Sequence, residues 1–296
     1  MALRRRRLLQ HALTGVGGTV AGVGVVGAEG CAHEMKYATK SERLARDGVV
    51  HIGNSTHLIV LNGVHVLTDP WLRDPADKVL QHRVPPAALP TDVDIVLITH
   101  EHEDHFDPTA LALIDKKATI IVPAWMEARA KEQGFAKVVV VKAGDVVDVD
   151  SGSGVDGGLR FEVVKALHDI DEVAYRFGGT AEGAKRVFFG GDTLPNPEIA
   201  SMAKKGGADF CFLPADAGAL LGKRYVSNVE EAVAMAKDFG VDAAGKGAML
   251  THHEFELTSA LWSVILDVKP VDTSKLPAWF TAPVPGRHLL FPWQSP

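Results

Sequence analysis

The chain has 296 residues, of which 46% are hydrophobic and 23% are charged, a composition typical of a soluble globular protein with a sizeable core. Its formal net charge of −6 at pH 7 argues against general attraction to nucleic acid, whose phosphate backbone requires a basic protein face. The two cysteines, Cys31 and Cys211, exclude a disulfide framework and a four-cysteine zinc site.

Residues 1–30 have the layout of an export signal, with a basic cluster at residues 4–7 and an uncharged Gly/Ala/Val-rich run at residues 8–28. The order Arg5-Arg6-Arg7-Leu8-Leu9-Gln10 resembles a twin-arginine export motif. Ala28-Glu29-Gly30-Cys31 resembles a lipoprotein cleavage site, at which Cys31 would be lipidated. The alternative is an uncleaved membrane anchor, because the apolar run is just long enough to span a bilayer. The sequence therefore predicts export to the cell envelope, the periplasm, with membrane association through the N-terminus.

Residues 31–47 are polar and of mixed charge, and are predicted to form a tether. The clearest strand pattern follows, in which Asn62-Gly63 joins the apolar runs 57–61 and 64–67 as a hairpin turn, because both turn residues tolerate positive φ. Residues 94–99 form a continuous apolar run that ends at a histidine cluster, which predicts a buried strand. The other predicted strands are residues 49–52, 118–122, 137–141, 159–164, 186–189, 210–213 and 248–251.

Helical periodicity is found at residues 108–115, 124–133 and 228–239. At the last of these, Ser227 and Glu230 have the spacing of a capping box, and Gly240 lies where a left-handed C-terminal cap is expected. Early strands followed by alternating strands and helices predict sheets covered by helices. Neither a repeat nor a second core is found, so residues 48–296 are predicted to form a single domain.

The segment at residues 99–105 places His100, His102, Asp104 and His105 within six residues. Imidazole and carboxylate side chains at alternating positions can converge on one point where a chain leaves a strand and turns, and they are the ligand types that suit zinc. Four such ligands are more than one tetrahedral ion with an open position would use locally. The segment therefore predicts two adjacent ions, two Zn²⁺ in the first place, with Mn²⁺ or iron as alternatives. A histidine-rich surface loop that binds nothing is the structural alternative.

The pattern H-x-H-x-D-H after an apolar strand resembles the signature of the metallo-β-lactamase superfamily. Residues 51–71 resemble the opening hairpin of the branch that contains L-ascorbate-6-phosphate lactonase and N-acylphosphatidylethanolamine-hydrolysing phospholipase D. The resemblance implies an α/β fold, a four-layer αβ/βα metallo-β-lactamase sandwich with the metals at one edge between two sheets. Asn54 departs from the pattern, since many relatives carry histidine there, and residues 213–218 lack the tyrosine found near this point in the phospholipase group.

The resemblance also implies the remaining ligands. His168, which taken alone would be an ordinary loop histidine, lies where the family places its third histidine for the first metal. Asp192, otherwise a turn or capping aspartate, resembles the family's bridging carboxylate, and His252 supplies the last histidine, with His253 as the alternative. The assignment is His100, His102 and His168 on one zinc, Asp104, His105 and His252 on the other, and Asp192 shared.

The predicted activity is hydrolysis by a hydroxide that bridges the two zinc ions, since two adjacent metals lower the pKa of a bound water towards about 7. Asp104 would orient this nucleophile, and His253 would bind substrate or donate to the leaving oxygen. A phosphodiester, including a phospholipid, is the first substrate class, so the expected partner is a small molecule or a lipid. The alternatives are a lactone or ester hydrolase with the same site, or a non-catalytic zinc-binding envelope protein. Hydrolysis of β-lactams is disfavoured, because the resemblance places an Asp192-type bridge in other branches.

Two further expectations concern residues near the ends of the domain. Asp69, before Pro70, is predicted to accept the second N–H of a ligand histidine, or else to be a plain turn residue. The C-terminal aromatic residues Trp279, Phe280, Phe291 and Trp293 are expected to pack over the core, with the pocket wall or a lipid surface as the alternatives.

Overall fold

The computed structural model describes residues 38–39, 44, 46–72, 79–150, 158–259, 262, 265–268 and 270–291. The predicted export signal, Cys31 and most of the predicted tether lie outside these residues. Residues Lys36–Pro296 form one compact unit. Within the stretch predicted as a tether, Ala38–Thr39 pairs in parallel with Leu89–Pro90, so contacts with the domain begin before residue 48. Among the described residues no helix has the length and apolar character that crossing a membrane requires.

The strands, in chain order, are β1 (Ala38–Thr39), β2 (Gly48–Gly53), β3 (Thr56–Leu61), β4 (Val64–Thr68), β5 (Leu80–His82), β6 (Leu89–Pro90), β7 (Ile95–Leu97), β8 (Thr119–Pro123), β9 (Lys137–Val141), β10 (Val146–Val149), β11 (Leu159–Lys165), β12 (Val173–Gly179), β13 (Arg186–Phe189), β14 (Phe210–Pro214), β15 (Ala219–Leu220), β16 (Lys223–Arg224), β17 (Gly247–Thr251), β18 (Phe255–Leu257), β19 (Leu266–Asp267), β20 (Phe280–Thr281) and β21 (His288–Leu290). The α-helices are α1 (Pro108–Leu113), α2 (Glu127–Glu132), α3 (Pro197–Gly206) and α4 (Val229–Asp238), and 3-10 turns occupy Ala124–Met126 and Thr273–Lys275.

Two seven-stranded sheets form the centre of the fold. The first has the order β21-β2-β3-β4-β7-β8-β9 and the second the order β10-β11-β12-β13-β14-β17-β20. One apolar cluster lies between them, in which Ile59 and Ile95 of the first sheet meet Phe177 and Phe212 of the second. Both sheets are therefore buried on their facing sides, and the helices described next cover their other sides, so the central strands are nearly continuous apolar runs.

The outer faces of the sheets are covered by helices. Ala110 of α1 and Ala130 of α2 pack in the cluster on the first sheet. Met202 of α3 and Ala236 of α4 pack in the cluster on the second sheet. The order is thus helix, sheet, sheet, helix, and the predicted four-layer αβ/βα sandwich is confirmed. Small two- and three-stranded sheets, β5 with β18 and β15 with β16 and β19, lie outside the two large ones.

The predicted hairpin is confirmed, since Asn62 (φ 51°) and Gly63 (φ 74°) join two antiparallel strands, β3 and β4, in the left-handed region. All ten predicted strands and all three predicted helices exist, with ends shifted by up to two residues at most positions. Within the two large sheets, strands β10, β12, β20 and β21 were not predicted, and neither was helix α3. The predicted C-terminal cap is also present, because Gly240 has φ 73°.

The predicted capping box is wrong by one residue. The side chain of Asn228 accepts from the backbone N–H of Glu231, and the Glu231 carboxylate accepts from the backbone N–H of Asn228. Ser227 is instead buried, and its hydroxyl donates to the carbonyl oxygen of Thr193 at 2.6 Å. Asn is as good a capping residue as Ser, so the sequence spacing alone did not decide between adjacent positions.

Buried side chains confirm the expectation for the C-terminal aromatics and show where Cys211 lies. Cys211 on β14 is a fully buried free thiol. Phe280 and Phe291 are buried in the core, where the ring of Phe291 stacks on Phe210 at 3.8 Å between centroids, and Trp279 packs against the helical side of the second sheet. These three aromatic residues therefore cover the core, and Trp293 lies outside the described residues.

Candidate metal centre

The predicted ligands lie at one edge of the sandwich because each follows the end of a strand. His100, His102, Asp104 and His105 lie on the loop between β7 and α1. His168 follows β11, Asp192 follows β13 and His252 follows β17. Strand β7 is parallel to both of its neighbours, as are β14 and β17, so carboxyl ends of several strands meet at this edge.

A tight turn shapes the loop after β7. The backbone N–H groups of His105 and Phe106 both donate to the carbonyl oxygen of His102, at 3.0 and 2.8 Å. The ring of Phe106 is fully buried under the loop, and Asp107 caps helix α1 by accepting from Thr109. The buried Phe106 ring and the Asp107 cap thereby fix the loop. Its ligand side chains lie next to His168, Asp192 and His252 of the second sheet.

The first group of ligand atoms belongs to His100, His102, His168 and Asp192 and lies within 4.8 Å. Nδ1 of His102 lies 3.0 Å from Nε2 of His100 and 3.3 Å from Nε2 of His168. Nitrogens at the corners of a tetrahedron around zinc, with bonds of about 2.0–2.1 Å, are separated by about 3.3 Å. The spacing of the three nitrogens therefore suits one zinc-sized cation.

The second group belongs to Asp104, His105 and His252, also within 4.8 Å. Oδ2 of Asp104 lies 3.2 Å from Nε2 of His252 and 3.5 Å from Nε2 of His105. These side chains are at most 6% exposed, so water does not compete for the site from most directions. The spacing matches the first group, and the ligand types are again imidazole and carboxylate.

Asp192 lies between the two groups. Its Oδ2 atom is 3.1 Å from Nε2 of both His105 and His252, and 3.9 and 4.0 Å from Nε2 of His100 and His168. The backbone before it runs through Gly191 at φ 62°, where a Cβ atom would collide with the Glu172 carboxylate. Glycine at this position therefore lets the chain carry Asp192 into the space between the two groups.

The outer nitrogens of four ligand histidines each meet an acceptor. An acceptor on one ring nitrogen holds the proton there and leaves the lone pair of the other nitrogen directed at the centre. The pairs are His100 Nδ1 with Glu172 Oε1 (3.1 Å), His105 Nδ1 with Asp69 Oδ2 (2.8 Å), His168 Nδ1 with the carbonyl oxygen of Tyr225 (3.1 Å) and His252 Nδ1 with Asp216 Oδ1 (3.1 Å). The predicted role of Asp69 as an acceptor matches this geometry.

These contacts fit a pair of cations. With their protons on the outward nitrogens, the neutral rings of His100 and His102 present only lone pairs to each other at 3.0 Å, which is repulsive unless positive charge lies between them. In addition, Nε2 of His105 and Oδ1 of Asp192 are buried without a hydrogen-bond partner among the described residues. Buried polar atoms normally have a hydrogen-bond partner, so two such atoms without one at this centre agree with metal coordination.

The pKa shifts of the side chains also indicate that the centre is stabilised by positive charge. Burial opposes protonation of His105 and His252, but the carboxylate of Asp192 raises the pKa of both well above the ordinary histidine value. Burial likewise opposes ionisation of Asp192, yet His105 and His252 lower its pKa well below the ordinary value. Asp192 is therefore ionised, and His105 and His252 hold protons where no cation is bound.

The two adjacent histidines after β17 have different surroundings. His252 has φ 51°, an uncommon backbone conformation for histidine, and this turn directs its ring into the centre. His253 stacks on His51 with centroids 6.1 Å apart, and its Nε2 lies 3.9 Å from Glu254 Oε1. The geometry thus places His252, and not the alternative His253, among the other predicted ligands.

A cavity of about 290 Å³ opens beside the centre. Predicted residues His102, Asp104, Asp192 and His252 form its inner side, and Tyr225 lies next to them. His253, predicted to bind substrate or to donate to the leaving oxygen, is not among the residues that line it, because its ring is turned towards His51. The predicted catalytic role of His253 therefore finds no support in this geometry.

Asn54, at a position where many relatives carry histidine, contacts the metal centre. Its Nδ2 donates to Asp104 Oδ2 at 3.4 Å, and its backbone N–H donates to Glu254 Oε2 at 3.2 Å. The same Glu254 oxygen lies 2.7 Å from Nε2 of His51. A buried polar network thus holds the turn between β2 and β3 against the metal centre.

Sequence reasoning missed several contributors to the site. Glu172 bonds both His100 and the backbone N–H of Asp192, the latter at 2.8 Å. Asp216, Asp169 and Tyr225 complete the surroundings of the ligand histidines. Asp169 follows His168 directly, and that adjacency was a usable signal, whereas nothing local in the sequence distinguishes Glu172, Asp216 or Tyr225.

Comparison with known proteins agrees with this geometry. The sequence profile described as "Beta-lactamase superfamily domain" matches residues 65–253, a stretch that contains all seven predicted ligands. The chain belongs to this family. The predicted superfamily is thereby confirmed, and the narrower resemblance to the lactonase and phospholipase branch stays a prediction.

Three similar proteins illustrate the family. An uncharacterized protein of Mycobacterium tuberculosis is 29% identical over 286 residues, covering 87% of this chain and 73% of its own length. A protein of Rubrobacter xylanophilus named UPF0173 metal-dependent hydrolase is 24% identical over 214 residues, covering 68% of this chain and 80% of its own. The crystal structure of a possible metal-dependent hydrolase from Veillonella parvula has a TM-score of 0.65 at 16% identity, covering 83% of this chain and 100% of that one. The last similarity concerns the fold alone.

Proposed function

We propose that the chain is a metal-dependent hydrolase with two adjacent metal ions, and that it hydrolyses phosphodiesters. The observation that carries the proposal is the position of Asp192 Oδ2, within 3.1–4.0 Å of a nitrogen from each of the two ligand groups. A structural zinc site needs four ligands and no shared carboxylate. Membership of the superfamily and the names of relatives such as the Rubrobacter protein support the hydrolase class.

The residues that would hold the metals are His100, His102 and His168 in one group, Asp104, His105 and His252 in the other, and Asp192 in both. Bound there, two divalent cations supply an acidified water as nucleophile and Lewis acidity for the attacked group. Imidazole and carboxylate ligands suit zinc first, while manganese and iron accept the same ligand types. Metal analysis of the purified protein decides among the three.

Asp104 is the residue that would orient the nucleophile. It lines the cavity, and one of its oxygens is held by Asn54 and His252 at 3.4 and 3.2 Å. Although burial opposes ionisation, His105 and His252 lower the pKa of Asp104 well below the ordinary value. A carboxylate that is fixed and ionised at neutral pH accepts a hydrogen bond from an attacking water and directs its lone pair at the substrate.

Tyr225 is the residue best placed to donate to the substrate. It lines the cavity, its ring meets His168 edge-on with centroids 5.1 Å apart, and burial raises the pKa of its hydroxyl. The phenol therefore stays protonated at neutral pH and can donate to an oxygen on which negative charge develops. In this proposal Tyr225, and not His253 as expected from the sequence, donates the hydrogen bond to the substrate.

A phosphodiester suits this site because it carries a single negative charge at the reacting centre, opposite a pair of cations. Metal ions held by these residues would also stabilise negative charge that develops on the oxygens of a phosphodiester. A lactone or another ester could use the same metals, and its oxygen could accept from Tyr225. Substrate tests must therefore separate the two classes.

The deciding experiment supplies the zinc-loaded protein with bis(p-nitrophenyl) phosphate, a lipid phosphodiester, p-nitrophenyl phosphate and a panel of lactones. We expect zinc-dependent turnover of the diesters, and none in the Asp192→Ala variant. Turnover of lactones alone would replace phosphodiesters by carboxylic esters as the substrate class. One tightly held ion with no turnover of any substrate would favour the non-catalytic zinc-binding alternative.

A further inference from the structure

The cavity beside the metal centre has one chemically distinct side. Apart from the metal ligands, much of its wall is formed by aromatic and aliphatic side chains, among them Trp71, Leu80, Phe255, Trp262 and Leu266. This wall does not belong to the two large sheets. Leu80 and Phe255 come from the paired strands β5 and β18, and Leu266 comes from β19, which pairs with β15.

The deeper part of the apolar wall is held in place by the fold. Trp71 is 3% exposed, its ring stacks on His82 at 3.7 Å between centroids, and its backbone N–H donates to Thr56. Phe255 is 2% exposed, and its ring packs against the ring of His252 at 4.6 Å. A wall fixed before the ligand arrives loses little conformational entropy on binding, which favours tight apolar contacts.

Apart from the ligand histidines, the charged side chains that line the cavity are acidic. Glu103 and Asp169 line it, together with Asp104 and Asp192 in the metal centre. The side chain of Asp169 is 27% exposed, and its Oδ1 lies 2.9 Å from Nε2 of His168. Among the described residues that line the cavity there is neither lysine nor arginine. A second anionic group on the substrate would find repulsion here and no partner.

We propose that the apolar side of this cavity binds an uncharged, apolar ester arm of the substrate, while the metal centre takes the reacting group. The inference rests on the proposed hydrolytic function, and it narrows the substrate class to esters with one alkyl or aryl arm and no anionic group beyond the reacting one. Nucleotides with further phosphates and diesters with a carboxylate on the arm are excluded by the acidic lining.

Binding of slowly hydrolysed analogues tests this proposal independently of turnover. Calorimetric titration of the zinc-loaded full-length protein with O-alkyl methylphosphonates, from methyl to octyl, is the measurement. Each methylene group that enters an apolar pocket strengthens binding by roughly fourfold. We expect this gain per methylene until the cavity is filled, and weaker binding of the matching ω-carboxyalkyl compounds.

Variants of the wall locate the effect. Trp262→Ala and Leu266→Ala should reduce the gain per methylene and leave the affinity for the methyl compound unchanged. Trp125→Ala is the matched control, because Trp125 is 41% exposed and does not line the cavity. Affinity that is independent of chain length, or an equal effect of Trp262→Ala and Trp125→Ala, would overturn the proposal.

The outcomes separate this inference from the proposed function. Affinity that rises with chain length, without turnover of any phosphodiester, would retain the apolar subsite and refute phosphodiester hydrolysis. Turnover of p-nitrophenyl alkyl phosphates at rates independent of the alkyl arm would retain the hydrolase and refute the subsite.

Discussion

Oδ2 of Asp69 lies 2.8 Å from Nδ1 of His105, and both side chains are fully buried. The two oxygens of Asp69 also accept from the backbone N–H and the hydroxyl of Thr99, at 2.8 and 2.7 Å. Three donors therefore fix the carboxylate, and the carboxylate keeps a proton on Nδ1 of His105, so that Nε2 is the nitrogen that would bind a metal once its own proton is displaced.

This contact predicts that Asp69→Asn weakens metal binding although Asp69 is not a ligand. An asparagine amide placed against Nδ1 of His105 donates where the native carboxylate accepts, which favours the wrong tautomer. We expect zinc affinity to fall by about 10- to 100-fold, measured by competition with a chromophoric chelator. Asp148→Asn is the control, because Asp148 is exposed and pairs with Arg160 far from the site. Equal affinities in the two variants would contradict the assigned role.

Proton competition makes metal affinity depend on pH. Despite the opposing effect of burial, Glu172 and Asp169 raise the pKa of His168 to about 9, and carboxylates raise the pKa values of His105 and His252 as well. At neutral pH these imidazoles hold protons that a metal must displace, so zinc affinity rises with pH and falls on acidification.

Let K be the overall association constant for two zinc ions. We expect log K to rise with pH with a slope of about 2 to 3 between pH 6 and 8, because each of the three histidines releases up to one proton. Calorimetric zinc titrations in buffers of different ionisation enthalpy measure the number of protons released when two zinc ions bind, and this number should equal the slope. A zinc affinity that does not change across this range would show that the imidazoles are already unprotonated.

Removal of the Tyr225 hydroxyl should affect turnover and not metal content. Loss of one donor to a developing oxyanion costs about 100- to 1000-fold in kcat. We therefore expect Tyr225→Phe to lower kcat by about 100-fold, with two metal ions still bound and KM little changed. Tyr175→Phe is the matched control, since the Tyr175 hydroxyl donates to the Ile98 carbonyl at 2.7 Å inside the core. That control should lose stability and keep kcat, and a Tyr225→Phe variant with full kcat would exclude the donor role.

The network around Glu254 predicts a difference in stability between two substitutions. Glu254→Ala removes the acceptor of the Asn54 backbone N–H and the partner of His51 Nε2, both buried, and each unsatisfied group costs about 1–3 kcal/mol. Glu254→Gln can place its amide oxygen where Oε2 lies and accept from both groups, so it should cost about 1 kcal/mol or less. Urea unfolding of the metal-free proteins compares the free energies of unfolding. Equal losses in the two variants would show that the network does not stabilise the turn.

The sequence predicted those parts of the molecule that have a local pattern. His100 to His105 lie in one short motif, and the strands around them are continuous apolar runs because the sheets are buried on both sides. The more distant ligands His168 and Asp192 were predicted only through the family resemblance, because neither spacing follows from physics. His252 and His253 could not be separated with certainty from sequence, since the positive φ of His252 is a tertiary feature.

The unpredicted parts depend on contacts between distant segments. Strand β12 carries a buried arginine, Arg176, whose charge is paired with Glu162 on the neighbouring strand at 2.6 Å, so its pattern is not that of an apolar strand. Glu172 and Asp216 are acceptors for ligand histidines because the second sheet places them beside His100 and His252. Ordinary loop carboxylates give no local signal of such a role.

Metal stoichiometry in single-ligand variants tests the central claim most directly. The zinc-loaded protein, His168→Ala and His252→Ala are each passed through a desalting column, and bound zinc is measured by mass spectrometry together with protein concentration. We expect two equivalents in the native protein and about one in each variant, since each substitution removes a ligand from a different group. One equivalent in the native protein, or two equivalents in either variant, would contradict a centre in which these seven side chains hold two adjacent ions.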